Sequence, residues 1–320
     1  MFSKEYISQL SEKTGFRPDS LQRQVTLIDL LREINRHPLL GRNFALKGGT
    51  AINVFWFQLP RLSVDIDLNY IGSAEREVML KDRPMLEQEM KKLIQSRGIS
   101  VENAPADEHA GAKWRLRAPS AFGGNFTLEV DLNYLMRVPV YGVEKRKPYP
   151  FHGDFIFECS TVSFEELLAG KIKALLDRSA ARDLYDVYKL SEGSILYDAA
   201  QLRKAVILFG LTCDDDWRGK DLRTIDGINQ KMIDDQLNPL LRSNEPTDLG
   251  RLKKATKRFL SDLLRYDESE HRFMDRFLDE GVYEPELIYE NERQAGSLKR
   301  HPAVLWKLQN HRTHLGLIGG

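Results

Sequence analysis

Asp65 and Asp67 stand two residues apart in the run Ser63-Val64-Asp65-Ile66-Asp67-Leu68-Asn69-Tyr70. Side chains alternate along an extended strand, so both carboxylates share one face with Ser63 and Asn69, while Val64, Ile66 and Leu68 take the other. Two carboxylates placed in this way can hold a hard cation such as Mg²⁺, which takes oxygen ligands and is readily shared with a triphosphate. Asp131, with Glu129 beside it, offers a third carboxylate on the polar side of a second alternating strand, Asn125 to Leu132. Such a group can complete a metal site or accept a proton from an attacking hydroxyl. Paired with Arg115 or Arg117 instead, it would be ordinary strand surface.

Gly48-Gly49-Thr50 lies between a short apolar strand, Phe44-Ala45-Leu46, and a helical stretch running to Phe57 before Leu59-Pro60 stops it. Glycines let a backbone come close to phosphate, and the N–H groups at a helix start attract anions. Lys47 precedes the glycines rather than following them, so this is no Walker P-loop. Arg61 and Ser63 could reach a triphosphate or could simply cap the strand. Gly48, Gly49, Thr50, Arg61 and Ser63 are therefore the candidate nucleotide contacts.

The elements that must position these residues follow from periodicity. Leu21, Val25, Ile28, Leu31 and Ile34 predict a helix over residues 20–35, and Leu86, Met90, Leu93 and Ile94 a second over 84–97. Lys113 to Arg117 and Asn125 to Leu132 read as a hairpin turned through Pro119 and Gly123-Gly124. A further strand is expected over residues 155–162. Ser163-Phe164-Glu165-Glu166 has the form of a capping box opening a helix to about Arg178, with another helix from about Ala180. Beyond Leu190 only helices are expected, over residues 199–209, 248–266 and 269–280. The expected fold is α/β (α+β): a mixed-sheet domain over residues 1–190, then a helical C-terminal domain over 191–320.

Forty-seven basic and 47 acidic residues cancel, so any polyanion must be met by local patches. Three stand out: Lys113, Arg115 and Arg117 on a strand; Arg251, Lys253, Lys254, Lys257 and Arg258 on a helix; and Arg293, Lys299, Arg300, Lys307 and Arg312 in a stretch without acids. For any one patch a solvated face is the plainer reading. Cys159 and Cys213, far apart, make a disulfide framework or structural zinc improbable. The seven histidines show no zinc-ligand spacing. No apolar run approaches the ~20 residues of a membrane span, and the N-terminus has no apolar signal region. A cytoplasmic protein is expected, with no membrane partner.

Leu46-Lys47-Gly48-Gly49-Thr50-Ala51-Ile52-Asn53 followed by Arg61-Leu62-Ser63-Val64-Asp65-Ile66-Asp67-Leu68 resembles the AbiEii/AbiGii family of nucleotidyltransferase toxins, within the DNA polymerase β-like superfamily. Glu166 to Leu176 followed by Ala181-Arg182-Asp183-Leu184-Tyr185-Asp186 is similar to the family's second block, and His301-Pro302 to Trp306-Lys307 to its C-terminal signature. Fifteen residues separate Gly49 from Asp65, an interval longer than is usual in the superfamily. The resemblance implies a polymerase β-like domain and transfer of nucleotides from an NTP to an RNA acceptor, tRNA in particular. Mg²⁺ would sit on Asp65, Asp67 and Asp131. A separately encoded winged-helix antitoxin is the implied partner. The resemblance also implies that Lys171 neutralises triphosphate charge and that Asp183 holds Lys171 or assists the metal site. Lys173 lies about 200° around the same helix and would face elsewhere. The bland alternative for Lys171 and Asp183 is a helix–helix salt bridge. Two rival functions stay open: a non-catalytic nucleotide- or RNA-binding module of the same fold, and an enzyme that modifies a protein hydroxyl.

Overall fold

A computed structural model describes residues 2–103, 111–150, 156–193, 195–245, 247–314 and 316–317. The chain divides into two compact units. Unit 1 comprises Met1–Arg137, Val143–Val162 and Asp234–Thr247; unit 2 comprises Val138–Gly142, Ser163–Ile233 and Asp248–Gly320. No helix among the described residues is long and apolar enough to cross a membrane.

Unit 1 carries helices α1 (Lys4–Thr14), α2 (Pro18–Arg36) and α3 (Leu40–Asn43), then strand β1 (Phe44–Lys47). A turn of helix, α4 (Gly48–Thr50), continues as a π-helical stretch, Ala51–Trp56. Strand β2 (Asp65–Tyr70), helix α5 (Arg76–Ser96) and strands β3 (Ser100–Asn103), β4 (Gly111–Pro119), β5 (Asn125–Asn133), β6 (Val143–Arg146) and β7 (Cys159–Val162) follow. The seven strands form one mixed sheet in the order β3-β4-β5-β2-β1-β7-β6. β2 runs parallel to β5, and β1 parallel to β7; the other neighbours are antiparallel.

One face of this sheet is the core. Ile66, Leu68, Leu128, Val130, Leu132, Trp114 and Leu116 are all buried on it, and α2 packs against β2, β5 and β7. The opposite face carries the polar partners of each alternation. Helix α5 begins eight residues before the expected start at 84, and Pro84 lies inside it. Proline removes one N–H from the helix ladder, a cost of the order of 3 kcal/mol, here outweighed by burial of Met79 on the earlier turns and Leu86, Met90 and Ile94 on the later ones. The strand expected over 155–162 is shorter, Cys159–Val162; residue 155 of that expectation lies outside the described residues.

Segment Asp234–Thr247 returns from the second half of the chain to unit 1. Leu62 N–H donates to the Leu240 carbonyl at 2.8 Å, Ser243 N–H to Gly15 at 2.9 Å, and the Arg242 guanidinium lies 4.6 Å over the Phe16 ring.

Unit 2 is helical: α6 (Phe164–Arg178), α7 (Ala181–Ser191), α8 (Ala199–Gly210), the short α9 (Gln230–Met232), α10 (Leu249–Leu263), α11 (Glu268–Leu278), α12 (Glu292–Leu298) and α13 (Pro302–His314). The division at Val162/Ser163 differs from the expected step near residue 190 by α6 and α7. Those helices pack with α8 and α10, so they belong with the helices that follow residue 190, and the packing divides where β7, the last strand among the described residues, ends at Val162. The expected capping box is half formed. The Ser163 hydroxyl accepts from the Glu166 N–H, but the Glu166 carboxyl reaches instead to the Val140 N–H at 2.7 Å.

Candidate active site

The polar face of the unit 1 sheet gathers most of the sequence candidates, and strand register shows how. Lys47 of β1 is opposite Asp67 of β2, Asp67 is opposite Asp131 of β5, and Asp131 is opposite Lys113 of β4. Directly paired residues project to the same side, so four strands lay down a row Lys47–Asp67–Asp131–Lys113. The next row holds Asp65, Glu129 and Arg115. Two lysines thus bracket two aspartates, with two further carboxylates alongside.

The Gly-Gly-Thr turn is tied to this face. The Thr50 hydroxyl donates to the Asp65 carbonyl at 2.5 Å, and the Asn53 amide donates to the Gly49 carbonyl at 3.0 Å. Gly48 has φ +74° and lies so close to Asp67 that a Cβ there would overlap its carboxylate. Thr50 is fully buried, and its hydroxyl reaches the β2 backbone. Its role in this geometry is to place the start of β2.

Asp131 is half-buried, and burial pushes its carboxyl above the usual range. Lys47 opposes that shift, Asp67 adds to it by like-charge repulsion, and Lys113 again opposes. Lys113 donates to Glu129 at 2.8 Å, which with the fields of Asp65 and Asp131 raises the lysine. Among the described residues, no three His, Cys, Asp or Glu side chains form a ready-made metal cage. The donor chemistry nonetheless suits a hard cation. Asp65, Asp67 and Asp131 offer only oxygen, and a cation would relieve the repulsion that Asp131 feels from Asp67.

Two candidates sit differently. Arg61 is 1% exposed, and its Nη1 donates to the Leu62 carbonyl at 2.8 Å; a guanidinium expected at a triphosphate is enclosed by the fold. Ser63 is buried, its N–H held by the Gln24 carboxamide oxygen at 2.6 Å, just before β2 begins.

Lys171 and Asp183 belong to unit 2. The Lys171 ammonium lies 2.8 Å from Asp183 and 3.1 Å from Asp186, both carboxylates fully enclosed, and Arg178 reaches Asp183 from the other side at 2.8 Å. Burial favours the neutral acid, but Lys171 and Arg178 hold the Asp183 carboxyl well below its ordinary value. This is a helix–helix ion cluster between α6 and α7. Lys173 turns away from it and pairs with Asp177 one turn on, at 2.7 Å.

The basic patches separate. In the C-terminal stretch Lys307 pairs with Asp214 at 2.6 Å, Lys299 with Glu286, and Arg312 donates to the Gly281 carbonyl. On α10, Lys257 pairs with Asp226 and Arg251 with Glu192. Lys113, Arg115 and Arg117 are each more than half exposed and lie on the same sheet face as the carboxylates.

Sequence reasoning passed over Lys47, Gln24 and Glu102. Lys47 did stand next to the glycine turn, but its place beside Asp67 depends on an antiparallel register that no local pattern reveals.

Comparison with known proteins bears on the family and the fold. No curated protein matches the chain. The structure is similar to MenT4, a nucleotidyltransferase toxin from Mycobacterium tuberculosis H37Rv, with a TM-score of 0.65 and 18% identity, covering 95% of this chain and 99% of that one. At that identity the likeness speaks for the fold. The family model described as nucleotidyl transferase AbiEii toxin, type IV toxin–antitoxin system, matches residues 29–281, from α2 through the carboxylate strands and the Lys171 block to just past α11. The chain belongs to the AbiEii family and is a nucleotidyltransferase toxin of a type IV toxin–antitoxin system.

Proposed function

We propose that this nucleotidyltransferase moves a nucleotide from an NTP to an RNA acceptor, with tRNA the acceptor the family resemblance implies, and that it does so with Mg²⁺ in the cytoplasm. The observation that carries the reading is the row Lys47–Asp67–Asp131–Lys113, with Asp65 alongside, partly exposed on the polar side of a sheet whose other side is core. Asp65, Asp67 and Asp131 would hold the cation, which when bound neutralises triphosphate charge and activates an attacking hydroxyl.

The chain's own residues do the rest. Gly48 leaves room for the Asp67 carboxylate where any side chain would displace it. Thr50 fixes the first residue of β2, and so Asp65, through its hydroxyl. Gly48, partly exposed beside Asp67, brings its backbone to the face where phosphate would lie, while Gly49 is buried behind it. Lys47 and Lys113 flank the aspartates with positive charge, favouring a polyphosphate at this face. In this proposal Ser63 and Arg61 shape the approach to β2 from within the unit. Asp183 and Asp186 hold Lys171, whose charge is assigned to the phosphates by the resemblance. A type IV system adds a separately encoded antitoxin, for which a winged-helix protein is proposed.

The test is incorporation of label from each of four radioactive NTPs into total RNA, with Mg²⁺ or with EDTA. Label in nuclease-sensitive product, abolished by EDTA, is the expected result. Nuclease-resistant, protease-sensitive label would move the acceptor to protein. No incorporation from any NTP with either acceptor would overturn the proposed transfer.

A further inference from the structure

The β4 cations continue the carboxylate rows beyond the aspartates, with Lys113 and Arg115 at the ends of two rows and Arg117 further along the strand, and their geometry is specific. Lys113, Arg115 and Arg117 alternate with buried Ala112, Trp114, Leu116 and Ala118, so the three charges lie in a line, about 6.8 Å apart at strand rise. The line joins the candidate active site at one end, because Lys113 is the direct neighbour of Asp131 and Arg115 of Glu129. Arg117, opposite Thr127, is the far end. The other basic stretches singled out by the sequence are absent from the described residues of unit 1, since both lie in unit 2.

The line is held by two acids. Glu129 pairs with Lys113 at 2.8 Å. Glu102 of β3 stands between the two arginines, 3.5 Å from Arg115 and 3.8 Å from Arg117. These are exposed or half-exposed pairs with long distances at Glu102, the kind that contribute little and exchange readily for another anion. Glu102 therefore keeps two guanidinium groups extended over the sheet while competing with whatever anion arrives. A chain of zero net charge has no global field to draw in a polyanion, so the local line must do it.

We propose that Lys113, Arg115 and Arg117 form the track along which the backbone of a single-stranded RNA end runs to the Asp67–Asp131 pair, and that Glu102 is a competing carboxylate that limits its affinity. The occupant follows from charge and shape: regularly spaced cations on an extended strand suit the phosphates of an extended polynucleotide and lead to the carboxylates where its terminal hydroxyl would react. The proposal rests on RNA being the acceptor.

The experiment measures binding of a short fluorescein-labelled single-stranded RNA across a salt series, for the wild-type protein, the double variant Arg115→Gln/Arg117→Gln, and Glu102→Gln. Each phosphate contact in single-stranded nucleic acid contributes a slope of about 0.7 in log affinity against log salt, so the double variant should lose about 1.4. Its affinity should fall at least about tenfold at low salt, and in turnover the loss should appear in KM for RNA and not in kcat. Glu102→Gln should bind more tightly than wild type. An unchanged salt slope in the double variant, or weaker binding by Glu102→Gln, would overturn the track. Wild-type labelling of total RNA separates the two levels. With RNA labelled and the slope unchanged, only the track fails; with protein labelled in place of RNA, the acceptor reading fails and the track with it.

Discussion

Gly48 and Asp67 compete for the same space: the backbone of the first leaves no room for a Cβ beside the carboxylate of the second. Gly48 also holds φ at +74°, a conformation that costs an L-residue about 1–2 kcal/mol. Gly48→Ala should therefore show two separable effects. Thermal unfolding should report the modest backbone cost, because the overlapping atoms are a side-chain end that can swing aside. Nucleotide transfer should fall much further, by about a hundredfold or more, because the group that swings is the Asp67 carboxylate and ångström misplacement at a reacting centre costs that much. Equal losses in stability and activity would remove the special link between this turn and Asp67.

Asp65→Asn, Asp67→Asn and Asp131→Asn should each lower transfer by about a thousandfold, the equivalent of the several kcal/mol that a metal-organised site supplies. Their side chains are on the polar face and the substitution keeps shape, so melting temperatures should stay close to wild type. Full activity in any of the three would exclude that residue from the metal set.

Lys171 joins two enclosed carboxylates, Asp183 and Asp186. Removing one partner of a buried ion group strands the others, typically at 3–5 kcal/mol, so Lys171→Met should lose roughly that much stability. Lys173→Ala, which breaks a half-exposed pair with Asp177, should cost only about 0.5 kcal/mol. The Asp183 carboxyl is held below its ordinary value of 3.8. A depressed folded value contributes stability above the unfolded value, and that contribution is lost as pH falls below about 4. Asp183→Asn should abolish this part of the acid transition. If Lys171→Met melts like wild type yet transfers nothing, Lys171 acts on phosphate rather than as the α6–α7 tie.

Glu166 is fully buried, accepts the Val140 N–H at 2.7 Å, and also receives the Tyr141 N–H. Burial pushes its carboxyl up to about 8 from the ordinary 4.5, against the opposing pull of those two donors. A raised folded value means that stability is fully present below about 4.5 and is lost as pH rises through about 8. Melting curves taken from roughly pH 5 to pH 9 should therefore slope downward for wild type. Glu166→Gln keeps an oxygen for the backbone donors but cannot ionise, so its curve should be flatter across the same range. Identical slopes would show that Glu166 titrates elsewhere.

The C-terminal cations should matter little for RNA. Lys299 and Lys307 have carboxylate partners within unit 2, and Arg312 is bound to a backbone carbonyl. Replacing Lys299, Arg300, Lys307 and Arg312 together by Ala should lower the melting temperature while leaving the salt slope of RNA binding unchanged. A slope reduced by about 2 or more, the loss expected from three contacts, would transfer the acceptor path from β4 to this stretch.

Local periodicity was enough to read much of the molecule. The alternation of Asp65 and Asp67 with Ile66 and Leu68, and of Glu129 and Asp131 with Val130 and Leu132, is a property of consecutive residues, and both strands appear with those faces. The amphipathic helices from Leu249 and Glu268 and the Ser163 cap were legible for the same reason. What the chain could not show locally was which strand lies beside which. Parallel pairing of β2 with β5 and antiparallel pairing of β1 and β4 on either side set Lys47 and Lys113 at the ends of the carboxylate row, and a slip of one residue would have sent each to the opposite face. Charge was misleading in the same way. The stretch after Arg293 contains no acid, yet Glu286 and Asp214 reach its lysines from earlier in the chain, and Arg61, for which the sequence left both a triphosphate contact and a strand cap open, is enclosed. Side-chain alternation is fixed by the backbone of a single strand, whereas register, ion pairing and burial are decided by contacts between residues far apart in sequence, and only the folded chain brings those together.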